Sequence, residues 1–329
     1  MRRSNDRLER LLILLRDSKR VYRSGEELAK ALGVSRVAVW KHVKTLRDTG
    51  YVIEAKPKLG YRLLKEADIL KPTLVKEGLR TNFIGCEVRC YDAVPSTQSV
   101  VKEAAERGFR EGFVAIAEEQ TAGRGRRGRS WVSPRGGLWL SILLKPGLPP
   151  PKLPLLMLAA GLAVSKAVET TCGLKAELKW PNDVLINGRK VAGILAEASV
   201  EADLVHYVVL GIGVNVNNDL PVKLKEEATT LKEQLGSSVA RVKLVQELLK
   251  ALEDEYLTLK RGGYQEVLDG WRARSSILKS EVMVSLMGEA YEGVAEDVDG
   301  DGALILRLKD GSLKRFLAGD VTLRIKAKG

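Results

Sequence analysis

The sequence predicts an α+β protein of three domains, and three observations predict it. The first fifth of the chain is strongly basic and carries capped, amphipathic helical segments. The middle mixes many short apolar strands with a few long helices, and tight turns join several of the strands. The C-terminal stretch reads as short strands separated by turns rich in glycine and aspartate. A length of 329 residues suits roughly two to three domains of about 100–200 residues each.

In the first domain, 1–66, residues 7–17 place Leu8, Leu11, Leu12 and Leu15 on one helical face. Residues 24–33 (S-G-E-E-L-A-K-A-L-G) open with Ser24 as N-cap and carry Glu27 three positions on, the spacing of a capping box. Gly33 ends that helix. A second helix starts from Ser35, turns Val39, Val43 and Leu46 inward and leaves Arg36, Lys41 and Lys44 to project. Two helices across a short glycine-containing turn make a helix-turn-helix, whose second helix enters the major groove. Residues 51–63 read as two strands joined by a Lys-Pro-Lys-Leu-Gly tip, a basic wing suited to lie over phosphates. Charge agrees. Residues 1–66 hold 17 Lys/Arg against eight Asp/Glu, and the remainder 37 against 34, within a net charge of +12. An excess so placed points to a polyanion at the N-terminus and favours DNA over a small helical interaction module. The candidate DNA contacts are Ser35, Arg36, Lys41, His42, Lys44, Lys56 and Lys58.

The second domain, 67–272, has candidate strands at 87–91, 113–118, 138–144, 176–180, 184–186, 190–197 and 207–216, with helices near 96–107, 152–171 and 242–260. Asn187-Gly188 between two of the strands signals a hairpin. Strands outnumber helices and several turns are tight, so the pattern argues for an antiparallel or mixed sheet rather than a doubly wound parallel one. The third domain, 273–329, has strands at 281–286, 290–298, 303–308, 313–316 and 321–325, the spacing of a small β-barrel.

Composition excludes several classes. Cys86, Cys90 and Cys172 are too few and too scattered for a disulfide framework, and Cys86 and Cys90 lack the spacing of a redox or zinc pair. His42 and His206 are the only histidines, which argues against a histidine-rich metal site or a Ser-His-Asp triad. The opening residues form neither a signal peptide nor a membrane span, and the longest apolar stretch, 155–164, has the length of a buried core helix. A cytoplasmic protein with no membrane partner is expected. The run 297–302 starts like a calcium loop but has Leu308 where a bidentate Glu is needed. Gly211-Ile212-Gly213 lacks the third glycine of a dinucleotide fingerprint, and no P-loop occurs.

Residues 121–131 (T-A-G-R-G-R-R-G-R-S-W) interleave Gly123, Gly125 and Gly128 with Arg124, Arg126, Arg127 and Arg129, and Trp131 closes the run. Glycines let backbone amides approach a ligand, and arginines offer fixed forks to carboxylate or phosphate. Because the run is held between two apolar strands, it reads as a ligand loop rather than a solvated basic tail. Residues 179–183 (K-W-P-N-D) place Lys179 beside apolar neighbours, and Lys190 follows the hairpin turn in the same way; a lysine there needs a partner. Asn182 and Asp183, at a strand end, suit a polar ligand or Mg²⁺, or an ordinary salt bridge from Asp183 to a nearby lysine.

Residues 123–129, 179–183, 190–197 and 211–217 together resemble the bifunctional biotin–protein ligase and biotin operon repressor family. The likeness runs from about Arg7 to Ile325 and includes S-R-V-A-V-W-K-H-V-K. It implies a winged helix-turn-helix, a class II synthetase-like central domain and an SH3-like C-terminal barrel. It also implies two-step acyl transfer: biotin and ATP give biotinyl-5′-AMP and diphosphate, then a lysine of the biotin carboxyl carrier protein of acetyl-CoA carboxylase takes the biotinyl group. Preorganised cations suit the charge that both steps develop. By position, the resemblance makes Lys190, Arg126 and Asp183 catalytic, with Asp183 also holding Mg²⁺. It assigns Ser96, Thr97, Gln98, Gln120, Arg124, Gly125, Arg126 and Lys190 to biotin, and Arg129, Trp131, Lys179, Asn182 and Asn215 to ATP. Where the family's pocket motif reads Ser-Thr-Asn, this chain has Ser96-Thr97-Gln98, with an amide one methylene further out. The partners implied are carrier protein, operator DNA of biotin biosynthesis genes, and a second copy in an adenylate-bound homodimer. The alternatives are a DNA-binding biotin sensor without transfer activity and a ligase for a related acid such as lipoate.

Overall fold

The computed structural model describes residues 2–18, 21–48, 50–65, 68–201 and 204–323, which fall into two compact units divided between Ile69 and Leu70. The first unit has helices α1 (Arg2–Asp17), α2 (Gly25–Leu32) and α3 (Arg36–Asp48) and strands β1 (Val52–Lys56) and β2 (Gly60–Lys65). Leu11, Leu12 and Leu15 of α1 are buried with Leu28 and Leu32 of α2 and Val39, Val43 and Leu46 of α3, as their spacing demands. Leu8 is only half-buried. The capping box forms: Ser24 Oγ accepts from the Glu27 N–H, and the Ser24 N–H donates to Glu27. Ser35 Oγ accepts from the Ala38 N–H at 3.2 Å and so starts α3. β1 and β2 pair antiparallel, and the wing is tied back to the α1–α2 connection by reciprocal backbone bonds between Arg23 and Tyr61.

The second unit contains α4 (Pro72–Glu77), β3 (Val88–Val94), α5 (Thr97–Glu106), β4 (Val114–Gln120), β5 (Leu138–Leu144) and α6 (Leu153–Cys172). Then follow β6 (Glu177–Lys179), β7 (Asp183–Ile186), β8 (Arg189–Glu201), β9 (Leu204–Val214), α7 (Leu231–Leu235), α8 (Arg241–Lys260) and α9 (Tyr264–Arg272). Seven strands form one mixed sheet in the order β3-β4-β5-β9-β8-β7-β6, in which only the β3–β4 pair is parallel. β5 is buried at every position because both faces are covered, which explains an apolar run broken only by Ser141. Leu138, Leu140, Ile142 and Leu144 join the large core with α6 and α8, whereas Leu143 packs with Val101 and Ala104 of α5 on the opposite face. α6 is apolar and long enough to cross a membrane, yet most of it is buried in this core. Asn187 and Gly188 both take positive φ (50° and 75°), as a type I′ hairpin requires.

The sequence reading missed α4, α7 and α9, which are short, and ended β8 too early. The C-terminal strands are β10 (Glu281–Leu286), β11 (Glu289–Val298), β12 (Leu304–Leu308), β13 (Leu313–Phe316) and β14 (Asp320–Leu323). They form an antiparallel sheet ordered β13-β12-β11-β10-β14, and the edge strands β13 and β14 are not paired to each other among the described residues. Residues 324 and 325 of the expected last strand lie outside the described residues. Val282, Val284, Leu304 and Phe316 extend the core of the seven-stranded sheet, and Trp180 Nε1 donates to Gly302 O at 3.0 Å. Asp299 Oδ1 accepts from the Asp301 and Ala303 N–H groups, so the calcium-like run is a turn held by its own aspartate.

Candidate active site

The site lies on the α5 face of the seven-stranded sheet, and its polar floor starts at the N-terminus of α5. Ser96, Thr97 and Gln98 are all buried, and Ser96 Oγ caps the helix by accepting from the Gln98 N–H. The Thr97 N–H and Oγ1 both donate to Gln120 Oε1, at 2.8 and 3.0 Å, and Thr97 Oγ1 also lies 2.8 Å from Ser141 Oγ. Gln120 Nε2 donates to Ser133 Oγ. Gln98 Nε2 donates to Leu195 O at 3.1 Å, while its buried Oε1 has no partner. The extra methylene therefore leaves the Gln98 amide on the cavity wall, against Gly211.

Between β4 and β5 the arginine loop closes on itself. Arg124 and Ser130 form an antiparallel bridge, the Gly125 N–H donates to Arg129 O, and the Trp131 N–H to Gly123 O. Arg126 Nη1 donates to Asn182 Oδ1 at 3.0 Å and to Gly319 O at 3.2 Å. Burial pulls the Arg126 guanidinium below its usual range, while Asp320 and Asp183 oppose the shift. Trp131 folds back over the sheet onto Gly193 and Gly213, and its buried Nε1 has no partner. A Cβ on Gly213 would lie 2.5 Å from that nitrogen, so glycine is required for the close approach.

Lys190 sits beneath the indole, 5.0 Å from its centroid, with Nζ 2.6 Å from Asp183 Oδ1. Asn182 Nδ2 donates to Ile194 O, which fixes the amide that receives Arg126. Asn215 is buried, and its Oδ1 accepts from Asn218. These groups line one cavity of about 380 Å³, the size range of small-ligand sites. It collects every central-domain residue that the resemblance assigns to biotin, ATP or catalysis except Lys179, while Gly123, Arg127 and Gly128 of the loop also lie outside its lining. Lys179 is on edge strand β6.

Sequence reasoning missed two parts of the wall. Leu220, Lys223, Leu224, Glu227 and Ala228 line the cavity from an irregular segment held against β8, where the Lys190 N–H donates to Glu227 O and the Thr229 N–H to Lys190 O. No periodicity marks that segment. Asp320 is the other, reaching the cavity from the C-terminal sheet. In the first unit Arg36, Lys41, Lys44, Lys56 and Lys58 are exposed, while His42 is half-buried and Ser35 is spent as a cap. Lys56 is drawn to Glu54 at 3.7 Å and over the Tyr22 ring. The same face of α3 exposes Val37 and Trp40, which the charge-based reading passed over.

The biotin/lipoate A/B protein ligase family model matches residues 91–215, an HTH domain model residues 7–62, and the biotin protein ligase C-terminal domain model residues 280–324. The bifunctional ligase/repressor BirA of Bacillus subtilis is 37% identical over 304 residues, 91% of this chain and 93% of its own. This chain belongs to the bifunctional ligase/repressor family. The Escherichia coli BirA is 30% identical over 97% of this chain and 98% of its own. A biotin protein ligase from Aquifex aeolicus, solved with biotin and ATP, superposes with a TM-score of 0.65 at 32% identity, over 73% of this chain and all of that one. In this ligase/repressor the three matched segments fall on the winged unit, the large sheet and the C-terminal sheet.

Proposed function

We propose that this biotin ligase and DNA-binding repressor activates biotin in the 380 Å³ cavity and uses the adenylate it makes as corepressor. One observation carries the reading: a single cavity joins a buried, neutral, hydrogen-bonding end to a cationic end. The unpartnered Gln98 Oε1 and the Ser96 and Thr97 hydroxyls suit the N–H and C=O groups of a ureido ring, which a dithiolane such as lipoate's lacks. Lys190, Arg124 and Arg126 at the other end suit the carboxylate and, once formed, the acyl phosphate.

In the first step a carboxylate oxygen of biotin attacks the α-phosphorus of ATP, the bond to the bridging oxygen breaks, and diphosphate leaves. Lys190 and Arg126 stabilise the charge that gathers on the phosphoryl oxygens. Arg129 takes the leaving phosphates, while Asn182 and Asn215 hold phosphate or ribose, and Leu220, Leu224 and Ala228 offer an apolar seat for the base. Asp183 is the one carboxylate beside Lys190, and no cluster of three metal-ligating side chains occurs among the described residues. That donor set fits a Mg²⁺ ion that would take most of its ligands from nucleotide and water: Asp183 would supply one oxygen, and the ion would neutralise phosphate charge. In the second step a carrier-protein lysine, as the free amine, attacks the acyl carbon and AMP leaves.

Operator binding by one small winged unit makes few contacts, so a two-fold dimer is the expected DNA-binding form. If adenylate strengthens dimerisation it must also strengthen operator binding, and operator must in return strengthen adenylate binding. Carrier protein competing for the same face would delay repression until unbiotinylated carrier runs out. The free cysteines Cys86, Cys90 and Cys172 suit a reducing, cytoplasmic setting. The test is mass spectrometry of a carrier domain after incubation with this chain, ATP, Mg²⁺ and either biotin or lipoate. One biotinyl group per carrier and no lipoyl group supports the reading; lipoylation, or no transfer, refutes it.

A further inference from the structure

Asp320 opens β14, and its carboxylate is where the arginine loop converges. Arg129 Nη2 lies 2.5 Å from Asp320 Oδ2, Arg127 Nη1 3.5 Å from the same oxygen, and Arg126 Nη1 3.9 Å from Oδ1. Three cations thus share one anion at the rim of the cavity, beside Asn182 and Lys190. Guanidinium forks donate to carboxylate and phosphate oxygens in the same geometry. The three arginines differ in what else they hold. Arg126 also donates to the neutral acceptors Asn182 Oδ1 and Gly319 O, so it stays anchored whatever happens to the carboxylate. For Arg129 and Arg127, Asp320 is the acid they pair with.

We propose that Asp320 is an internal counter-anion that takes the place of the nucleotide's polyphosphate while the site is empty. It holds the loop from the C-terminal sheet, and it yields Arg127 and Arg129 to the phosphates when nucleotide enters. The inference rests on the reading above that the loop receives the phosphates of ATP. Displacement follows from charge: a polyphosphate and a carboxylate cannot share the same forks without like-charge repulsion. Because the latch must open for nucleotide to bind, its strength is subtracted from nucleotide affinity. Asp320 is therefore a positioning residue that sets affinity for ATP.

The test compares the full chain with Asp320→Asn and, as a second neutral variant, Asp320→Ser. Inorganic diphosphate is titrated by calorimetry without biotin, and the KM values for ATP and biotin are measured in adenylation. Arg129 is well exposed, so screening limits the expected effect to about threefold to tenfold. Both variants should bind diphosphate tighter by that factor and show a KM for ATP lowered to match, with the KM for biotin unmoved. Trypsin should cut the ligand-free loop faster than in the unaltered chain, and Asp320→Glu, which keeps the charge, should behave like the unaltered chain. Diphosphate affinity that is unchanged, weaker or absent in both neutral variants overturns the proposal. Failure of biotin-dependent adenylation in the unaltered chain sinks the parent reading instead, while the diphosphate titration still decides the role of Asp320.

Discussion

Lys190 Nζ and Asp183 Oδ1 stand 2.6 Å apart across the β7–β8 hairpin, at a contact that does not meet hydrogen-bond geometry. The two groups assigned to activation therefore neutralise each other. Asp183 holds the ammonium in place, and an incoming carboxylate has to share it.

Asp183→Asn should separate binding from chemistry. With its competitor gone, Lys190 should bind biotin's carboxylate up to about fivefold tighter without ATP, a modest gain because both groups are partly solvated. The rate of adenylation should fall by about 10²–10³ as an electrostatic element of the transition state is lost. Calorimetry with biotin alone and single-turnover diphosphate release would check the two halves.

Arg126→Gly should leak intermediate. It removes a half-buried cation hydrogen-bonded to Asn182 and Gly319, a loss of about 1.5–3 kcal/mol, or roughly ten- to a hundredfold in retention. Stopped-flow trapping should record faster release of biotinyl-adenylate, with bystander lysines labelled. An unchanged off-rate would refute the assignment.

Gly213→Ala should displace Trp131, since the new Cβ would meet Nε1 at 2.5 Å. Overpacking of this kind costs about 1–3 kcal/mol. The KM for biotin should rise roughly fivefold or more, and tryptophan emission should shift in the ligand-free protein while circular dichroism stays native.

Cys90 should be silent to thiol reagents. Burial, aided by the nearby Glu118 charge, pushes its thiol up to about 12, so the thiolate is scarce at neutral pH and gains ground only towards that value. Cys86 is exposed. Peptide mapping after labelling of the native protein at pH 8 should find Cys86 modified and Cys90 modified only after unfolding.

Much of the architecture was legible because local chemistry and tertiary packing agree. The Ser24–Glu27 box, the Asn187-Gly188 turn and the largely apolar run of β5 each name their own conformation. The candidate site was legible from local chemistry where it is contiguous in sequence, from 120 to 131 and from 182 to 190, while Ser96, Thr97, Gln98 and Asn215 were reached through the family resemblance. Three things were not. The 220–228 wall has no periodicity and owes its place to the backbone bonds that Glu227 and the adjoining Thr229 make with Lys190. Asp320 is one carboxylate in a strand, given meaning only by a sheet that brings it to the loop. The third is the place of Lys179: alternation with apolar residues put it on a strand, and only the sheet order shows that strand to be the edge strand β6, outside the cavity lining.

If this cavity activates biotin with ATP through Lys190, release of diphosphate from ATP must depend on both biotin and that ammonium. Exchange of labelled diphosphate into ATP measures that step alone, without carrier protein or DNA. The unaltered chain should exchange only when biotin is present, lipoate should not replace biotin, and Lys190→Ala should lose exchange by about 10²–10³ with its circular dichroism intact. Biotin-independent exchange, or exchange undiminished in Lys190→Ala, would contradict the account.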